Sequence, residues 1–576
     1  MTNHMNTDTN IDMTIKIGGA AGQGIQTIGD LLARACRDAG FYIMAINDFE
    51  SRIRGGHSFF QMRISDKPVH APHHRVDLLI ALNRETWDLH KDQLQDDGFA
   101  ILEVPLESSS KQVVEVEFST LAKEIGSSLY SNTVAAAAGL SILGASFEKI
   151  DALLTRQFAG KKDDIIQKNI KAARLGYDAV KDIRFSRQPF LKTSHPKGQI
   201  MDGSRAVALG AVASDCRVAA FYPMSPATGI MQHLTGWTNR LPLVVEQAED
   251  EIAAVNMVIG ASFAGARAMT ATSGGGFCLM TEGLGLAAIT ETPIVIVDAQ
   301  RPGPATGLPT RTAQGDLLFT IHASQDDFPR FVFAPGSLIE AFEITQKAFA
   351  LSEKYQVPAI ILVDQYLADS IFLLEHSFTF PQKVERFIAR DKDLMDPKNY
   401  SRYKLTPSGI SPRALPCTGA ARVVVSSDEH REDGHITEDI DNRNAMVNKR
   451  KSKLPDMIRE MSPPQALFPE AKTMLLGWGS TSGSIKESVE GLRNQGMDVG
   501  CLLFTDLWPF PTTVVESLLQ DPVKTIITVE QNSGAQFGHL LKEQTGISYT
   551  HAILKYDGRP FYPIEIMDAV KQKEKN

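Results

Sequence analysis

Cysteine is scarce. Five residues, Cys36, Cys216, Cys278, Cys417 and Cys501, are spread through 576 positions with no C-x-x-C pair. That spacing excludes a structural zinc or a self-contained iron–sulfur cluster and fits a reducing, cytoplasmic setting, with each thiol most simply a small buried side chain. No positive excess is present either: 59 Lys and Arg against 68 Asp and Glu give a net charge of −9, which argues against nucleic acid as a partner. Long apolar runs are missing. The most apolar stretch, Thr133–Phe147, is too short to span a bilayer and predicts a packed helix, so no membrane partner is expected. No leader with a basic start and an apolar core opens the chain, and polar Met1–Asn10 is expected to be disordered. G-x-G-x-x-G, the Lys-Ser/Thr of a P-loop, H-E-x-x-H, internal repeats and low-complexity tracts are all absent.

What is present is concentrated between Ala219 and Asp316. Five segments follow one another: Y-P-M-S-P-A-T (Tyr222–Thr228), V-V-E-Q-A-E-D-E-I-A-A (Val244–Ala254), T-A-T-S-G-G-G-F (Thr270–Phe277), T-P-I-V-I-V-D-A-Q (Thr292–Gln300) and G-P-A-T-G-L-P-T-R-T-A-Q-G-D (Gly303–Asp316). V-V-E and P-I-V-I-V-D predict buried strands ending in a carboxylate, and the run from Glu251 predicts a helix rich in small residues. Short apolar strands alternating with small-residue loops indicate a doubly wound α/β domain, whose ligands bind beyond the carboxyl ends of its parallel strands. The loops bearing Ser225, Gly274–Gly276 and Arg311 are expected at that edge. A lone arginine among Gly, Pro and Thr suits an anion.

The chain is too long for one domain. A first unit, 11–187, opens with strand, glycine turn and helix in I-K-I-G-G-A-A-G-Q-G-I-Q-T (Ile15–Thr27) and continues with strands near Phe41–Ile46, Phe59–Ile64 and Val76–Leu82. The turn with Gly19, Gly22 and Gly24 can aim backbone N–H groups at a phosphate, or can be a tight packing turn; both readings stay open. The loop S-R-I-R-G-G-H-S sets Arg52, Arg54 and His57 around two glycines, as a solvated basic loop or an anion clamp. Residues 188–198, with two prolines and a glycine, predict a linker. The second unit is 199–380. Residues 381–464 are irregular and charged; their cluster Asp428–Asp439 lacks metal-ligand spacing and predicts a solvated connection packing on a partner. A third, smaller α/β unit, 465–576, closes the chain.

With these motifs in place, the chain resembles the fused γ/α subunit of the 2-oxoacid:ferredoxin oxidoreductases from about Ile15 to its C-terminal end. The carriers are Y-P-M-S-P, G-P-A-T-G-L-P-T-R-T-A-Q-G-D, G-H-I-T-E-D (Gly434–Asp439), W-G-S-T, K-Y-D-G-R-P-F (Lys555–Phe561), and in the N-terminal unit G-G-A-A-G-Q-G-I and R-G-G-H-S-F-F-Q-M-R-I-S. Gly434–Asp439, W-G-S-T and Lys555–Phe561 are typical of the 2-oxoglutarate branch. Ser225 stands where the family carries threonine. The resemblance implies a γ-type domain, a pyrimidine-binding domain for thiamine diphosphate and a transketolase C-terminal-like domain. It further implies CoA as co-substrate, ferredoxin as electron acceptor, and a β subunit in an (αβ)₂ assembly. The family's other half-site needs a G-D-G for Mg²⁺ and diphosphate. None occurs here, and the cysteines cannot hold its [4Fe–4S] cluster, so both are expected from β, with no metal site in this chain.

By position in the motifs, the resemblance assigns Glu251 to the pyrimidine N1′, where a carboxyl hydrogen bond lets the cofactor's own imino group take the thiazolium proton. Glu246 and Glu249 compete, and acids at this helix start also complement its N-terminus. Arg311 and Ser225 match the positions that hold the substrate 1-carboxylate. Tyr222, Pro223, Thr272 and Ser273 line the cofactor, and Gly19, Gly22 and Gly24 receive phosphate groups of CoA. The expected reaction converts 2-oxoglutarate to succinyl-CoA. The alternatives are another 2-oxoacid on the same architecture, or a catalytically silent assembly subunit.

Overall fold

The structure, a computed structural model, describes residues 11–51, 55–105, 113–183, 185, 188–191, 198–394, 396–520, 523 and 525–574. Met1–Asn10, Arg52, Arg54 and most of the expected linker lie outside these residues. The chain divides into two compact units, one built mainly from 1–201 and the other mainly from 202–369 and 378–561.

The first unit is organised on a mixed eight-stranded sheet in the order Val113–Glu115, Leu94–Leu102, Val76–Ala81, Asp12–Ala20, His57–Ser65, Tyr42–Asp48, Ile371–Leu374, Gln199–Asp202. Asp12–Ala20 is central, parallel to Val76–Ala81 and antiparallel to His57–Ser65. Its Ile15 and Ile17 are fully buried among Ile28, Leu32, Phe60 and the alanines of the helix Ser131–Ile142. That helix covers Thr133–Ile142 of the apolar Thr133–Phe147 stretch, and small residues let it sit close to its neighbours: a Cβ on Gly139 would come within 2.8 Å of Ile80.

The second unit carries two sheets. The larger has the order Asp506–Trp508, Phe331–Phe333, Ala359–Asp364, Val295–Gln300, Arg267–Thr272, Cys216–Phe221, Val244–Gln247, all parallel except the first. The smaller has the order Gln465–Leu467, Val499–Phe504, Thr473–Trp478, Thr525–Glu530, His551–Leu554, parallel except the first. Val295–Gln300 is buried along its whole length, as a parallel strand covered on both faces should be. The expectation of a buried strand at V-V-E is corrected: Val244–Gln247 is the sheet edge, and Val244 is 59% exposed. Segments 199–380 and 465–576, read as separate from sequence, share one core, in which Phe277, Leu284 and Leu317 meet Trp478, Phe504 and Phe537.

Residues 381–464 also differ from expectation. They pack within this unit through buried ion pairs. Glu291, 1% exposed, is clamped between Lys449 Nζ at 2.5 Å and Lys453 Nζ at 2.7 Å. Arg402 adds a hydrogen bond from Nη2 to the Glu291 carbonyl at 2.8 Å. Burial by itself would raise the Glu291 carboxyl; the Lys453 and Lys449 ammoniums outweigh it and hold the group well below the usual range. In the Asp428–Asp439 cluster, His430 is buried against Tyr403 and Glu429 is held by Arg443 and Arg450. Among the described residues no group of three or more His, Cys, Asp or Glu could hold a metal ion, and no helix is long and apolar enough to cross a membrane.

Candidate active site

The C-terminal ends of Cys216–Phe221, Arg267–Thr272 and Val295–Gln300 converge, and each is followed by a motif segment. The Asp250 side chain accepts the Ala253 N–H at 2.7 Å and caps the helix Glu251–Phe263. This fixes the register of the three acids. Asp250 is used as the cap, Glu249 and Glu246 are exposed, and Glu251 turns inward to 3% exposure. Its Oε1 is buried with no hydrogen-bond partner. The atom lies against Gly276, where a Cβ would come within 2.6 Å of it and would also collide with Thr272 Oγ1. A buried carboxyl oxygen without a partner costs stability unless something outside the chain completes it. A thiamine pyrimidine asks for such a carboxyl at N1′, and Glu251 is the residue that fits.

Around Glu251 the other expected residues assemble. Thr272 and Ser273 are fully buried, and Met224 Sδ sits 2.7 Å from Ser273 Oγ, so the Tyr222–Ser225 loop folds over the strand end. Tyr222, Pro223 and Ser225 are exposed on that loop. The Gly303–Asp316 loop approaches the start of the helix Gly274–Ile289, with the Ala305 carbonyl 3.8 Å from a Cβ built at Gly275. Gln314 anchors it to the smaller sheet: its backbone N–H donates to the Gln531 carbonyl at 2.8 Å and its Nε2 to the Trp478 carbonyl at 2.7 Å. Arg311 is half-buried beside Gly558, which has a φ of 80° and where a built Cβ would come within 2.9 Å of Arg311 Cβ, leaving no room for a side chain. The Lys555–Phe561 segment thus supports Arg311 directly. Contacts of the Gly434–Asp439 segment lie elsewhere and include Val424, the Glu429–Arg431 strip and the helix Ile440–Lys451, which Asp439 caps.

Three residues escaped the sequence reading. Arg301, at the end of Val295–Gln300, donates from Nη1 to the Ser225 carbonyl at 2.8 Å and fixes that loop. Asp298 is fully buried with both carboxylate oxygens unpartnered, and Asp316 Oδ2 is likewise buried and unpartnered. Burial, reinforced by the neighbouring Asp316, raises Asp298 well above the ordinary carboxylate range, and burial raises Asp316 to about 6. The available signal was the carboxylate expected to end V-I-V-D; the strand in fact runs on to Gln300, so Asp298 sits inside it, toward its C-terminal end.

In the other unit, Gly22 and Gly24 have φ of 93° and 75°, conformations that glycine adopts freely, and Gly24 caps the helix Ile25–Ala39. That helix has no acid in its first turn and no side-chain cap. A Cβ built at Gly24 would collide with the Asn132 side chain and one at Gly19 with Gln23, and the turn closes on itself, the Gln23 N–H donating to the Ala20 carbonyl at 3.1 Å and the Ala20 N–H to Gln23 Oε1 at 2.5 Å. All five cysteines are unpaired, with Cys278 and Cys417 exposed and Cys36, Cys216 and Cys501 buried.

Three family profiles match in order: pyruvate ferredoxin/flavodoxin oxidoreductase over 14–179, the thiamine diphosphate-binding pyruvate flavodoxin/ferredoxin oxidoreductase domain over 209–449, and pyruvate:ferredoxin oxidoreductase core domain II over 471–566. A 2-oxoacid:ferredoxin oxidoreductase subunit alpha from Sulfolobus sp is 34% identical, with 96% of each chain covered. The 2-oxoglutarate synthase subunit KorA of Methanothermobacter thermautotrophicus is 31% identical over 64% of this chain and 97% of its own. The solved 2-oxoglutarate:ferredoxin oxidoreductase of Magnetococcus marinus, with 2-oxoglutarate, coenzyme A and succinyl-CoA bound, superposes with a TM-score of 0.90 at 31% identity, over 98% of this chain and 99% of that one.

Proposed function

Because the chain belongs to the 2-oxoacid:ferredoxin oxidoreductase alpha-subunit family, we propose that it is the α subunit of a 2-oxoglutarate:ferredoxin oxidoreductase, active only with a β subunit. The reaction joins 2-oxoglutarate and CoA to give succinyl-CoA and CO₂, while two electrons pass one at a time to ferredoxin. One observation carries this reading: the buried, unpartnered Glu251 Oε1 at the end of the parallel strands. Thiamine diphosphate, when bound, supplies the carbon centre at which the 2-oxoacid loses CO₂. Glu251 holds its pyrimidine ring, Tyr222, Pro223, Thr272 and Ser273 line it, and Arg311 with Ser225 binds the substrate 1-carboxylate through charge-assisted hydrogen bonds. Mg²⁺, the diphosphate and the [4Fe–4S] cluster belong to β, in an (αβ)₂ assembly working in the cytoplasm. The N-terminal unit takes the phosphate groups of CoA at the turn with Gly19, Gly22 and Gly24.

The choice of 2-oxoglutarate is supported by the KorA relative and by the Magnetococcus marinus enzyme, and by the branch-typical segment on which Arg311 rests. The test is reconstitution with the cognate β chain and a panel of pyruvate, 2-oxoglutarate, 2-oxoisovalerate and indolepyruvate. Highest kcat/KM on 2-oxoglutarate is expected. A higher value on any other member removes the substrate assignment and leaves the role of Glu251 standing. No turnover on the whole panel, with Glu251 indifferent to cofactor binding, leaves only an assembly subunit.

A further inference from the structure

The smaller sheet of the second unit has a ligand crevice of its own, and the chain fills it. Thr473–Trp478 is its central strand, parallel to Val499–Phe504 on one side and to Thr525–Glu530 on the other. The helix Ser482–Asn494, which follows Thr473–Trp478, belongs to the core on one face of the sheet, where Ile485 and Val489 cluster with Leu475. The helix Gln536–Thr545, which follows Thr525–Glu530, belongs to the other face, where Leu540 and Leu541 cluster with Leu476. The chain therefore leaves two neighbouring parallel strands toward opposite faces. A doubly wound sheet binds its ligand in the crevice that such a switch opens at the carboxyl ends.

Gln314, from the Gly303–Asp316 loop of the larger sheet, occupies that crevice at 1% exposure. Its Nε2 donates at 2.7 Å to the carbonyl of Trp478, the last residue of one strand. Its Oε1 accepts at 3.0 Å the N–H of Gln531, the first residue beyond the other. The backbone is gripped as well: the Gln314 N–H donates to the Gln531 carbonyl at 2.8 Å, and the Gln314 carbonyl accepts from Asn532 Nδ2 at 3.0 Å. Gly479 makes the room, with a φ of 56° and a built Cβ only 3.3 Å from Gln314 Nε2. Just downstream, Gln536 Nε2 donates to the Gly315 carbonyl at 2.7 Å and Gln536 Oε1 accepts the Leu318 N–H at 3.0 Å. A side-chain amide supplies both the donor and the acceptor that the two strand ends require; a carboxylate or an apolar chain of the same length fails one or both.

Arg311 lies three positions before Gln314. An arginine in a loop of Gly, Pro and Thr has no helix or strand of its own to aim it, and a bidentate fork tolerates little misplacement. We infer that Gln314 is the positioning residue for Arg311. By plugging the crevice of the smaller sheet it fixes the loop where the substrate carboxylate is met, so that sheet serves the reaction by holding the loop and not through a ligand of its own. The inference rests on reading Arg311 as the residue that binds the 1-carboxylate.

The test is a double-mutant cycle in the reconstituted αβ complex, Gln314→Met against Arg311→Lys. It is read as kcat and KM for each 2-oxoacid of the panel and as thiamine diphosphate affinity by calorimetry. Gln314→Met keeps length and bulk and removes both polar contacts of the side chain. It should raise KM and lower kcat/KM by about 10–100-fold for every 2-oxoacid, with thiamine diphosphate affinity within about twofold of wild type. On the Arg311→Lys background the same change should cost less than about threefold, because the group it aims is already impaired. Equal factors on both backgrounds, or a thiamine diphosphate affinity that falls in step with kcat/KM, overturns the inference and leaves Arg311 at the carboxylate. Arg311→Lys without effect overturns the carboxylate reading and the inference with it. Should Gln314→Met not assemble with β, Gln536→Leu carries the same cycle from the smaller sheet, without changing any residue of the loop.

Discussion

Two buried glutamates in the second unit present opposite pictures. Glu291 has an ammonium on each carboxylate oxygen, while Glu251 keeps Oε1 buried without a partner. Both are almost fully excluded from water, and burial of a carboxyl is costly in either place. At Glu291 the cost is offset inside the chain, by lysines that come from the segment 381–464. At Glu251 it is left standing in the folded chain. The closed carboxyl is a fastener, and the open one is the observation on which the proposed cofactor role of Glu251 rests.

The contrast is sharpest under amide substitution. Glu251→Gln should leave the αβ complex assembled and as stable as before, yet lower turnover by about 10²–10⁴-fold, the range of a lost acid–base partner, as read by kcat and by C2 proton exchange of the cofactor. If Glu249→Gln is crippled and Glu251→Gln is not, the helix register assigned here is wrong. Glu291→Gln should do the reverse. It strands two buried ammoniums and should cost about 3–5 kcal/mol in chemical denaturation, with near-normal kcat per folded molecule. Acid should discriminate too. The Glu291 carboxyl is held below its ordinary value of 4.5, so its contribution is present above that pH and lost as pH falls through the depressed value. In Glu291→Gln that segment of the stability–pH curve should flatten.

Smaller effects refine the open site. Arg311→Lys keeps the charge and loses the fork, and should cost about 2–3 kcal/mol in kcat/KM, equally for every 2-oxoacid, if the common carboxylate is what it holds. A loss confined to 2-oxoglutarate would move Arg311 to the distal end of the substrate. Ser225→Thr adds one methyl on an exposed loop and should change kcat/KM by less than about 1 kcal/mol.

What the sequence revealed follows range. Spacing alone left Glu246, Glu249 and Glu251 as equals, and only the family resemblance singled out Glu251; the inward turn of its side chain depends on Asp250 taking the cap, which the structure adds. The edge position of Val244–Gln247 was not readable, since an apolar run looks alike at the centre and rim of a parallel sheet. Glu291 gave no sign of its partners, because Lys449 and Lys453 lie 158 and 162 positions away and sit in a stretch whose charge pattern looks solvated. Asp298 lies within, and Arg301 just beyond, a strand buried along its whole length, and a run apolar for reasons of burial hides any further duty.

Gly558 has a consequence for how the hold on the common carboxylate can drift. Arg311 leans on a residue 247 positions downstream, and a Cβ there would push against its stem at 2.9 Å. The Lys555–Phe561 turn therefore works as an adjustable rest for the arginine. Grafting the corresponding turn from a relative can re-aim Arg311 without altering any residue of the Gly303–Asp316 loop, so the grip on the carboxylate common to all 2-oxoacids can be tuned from a distant stretch of the chain.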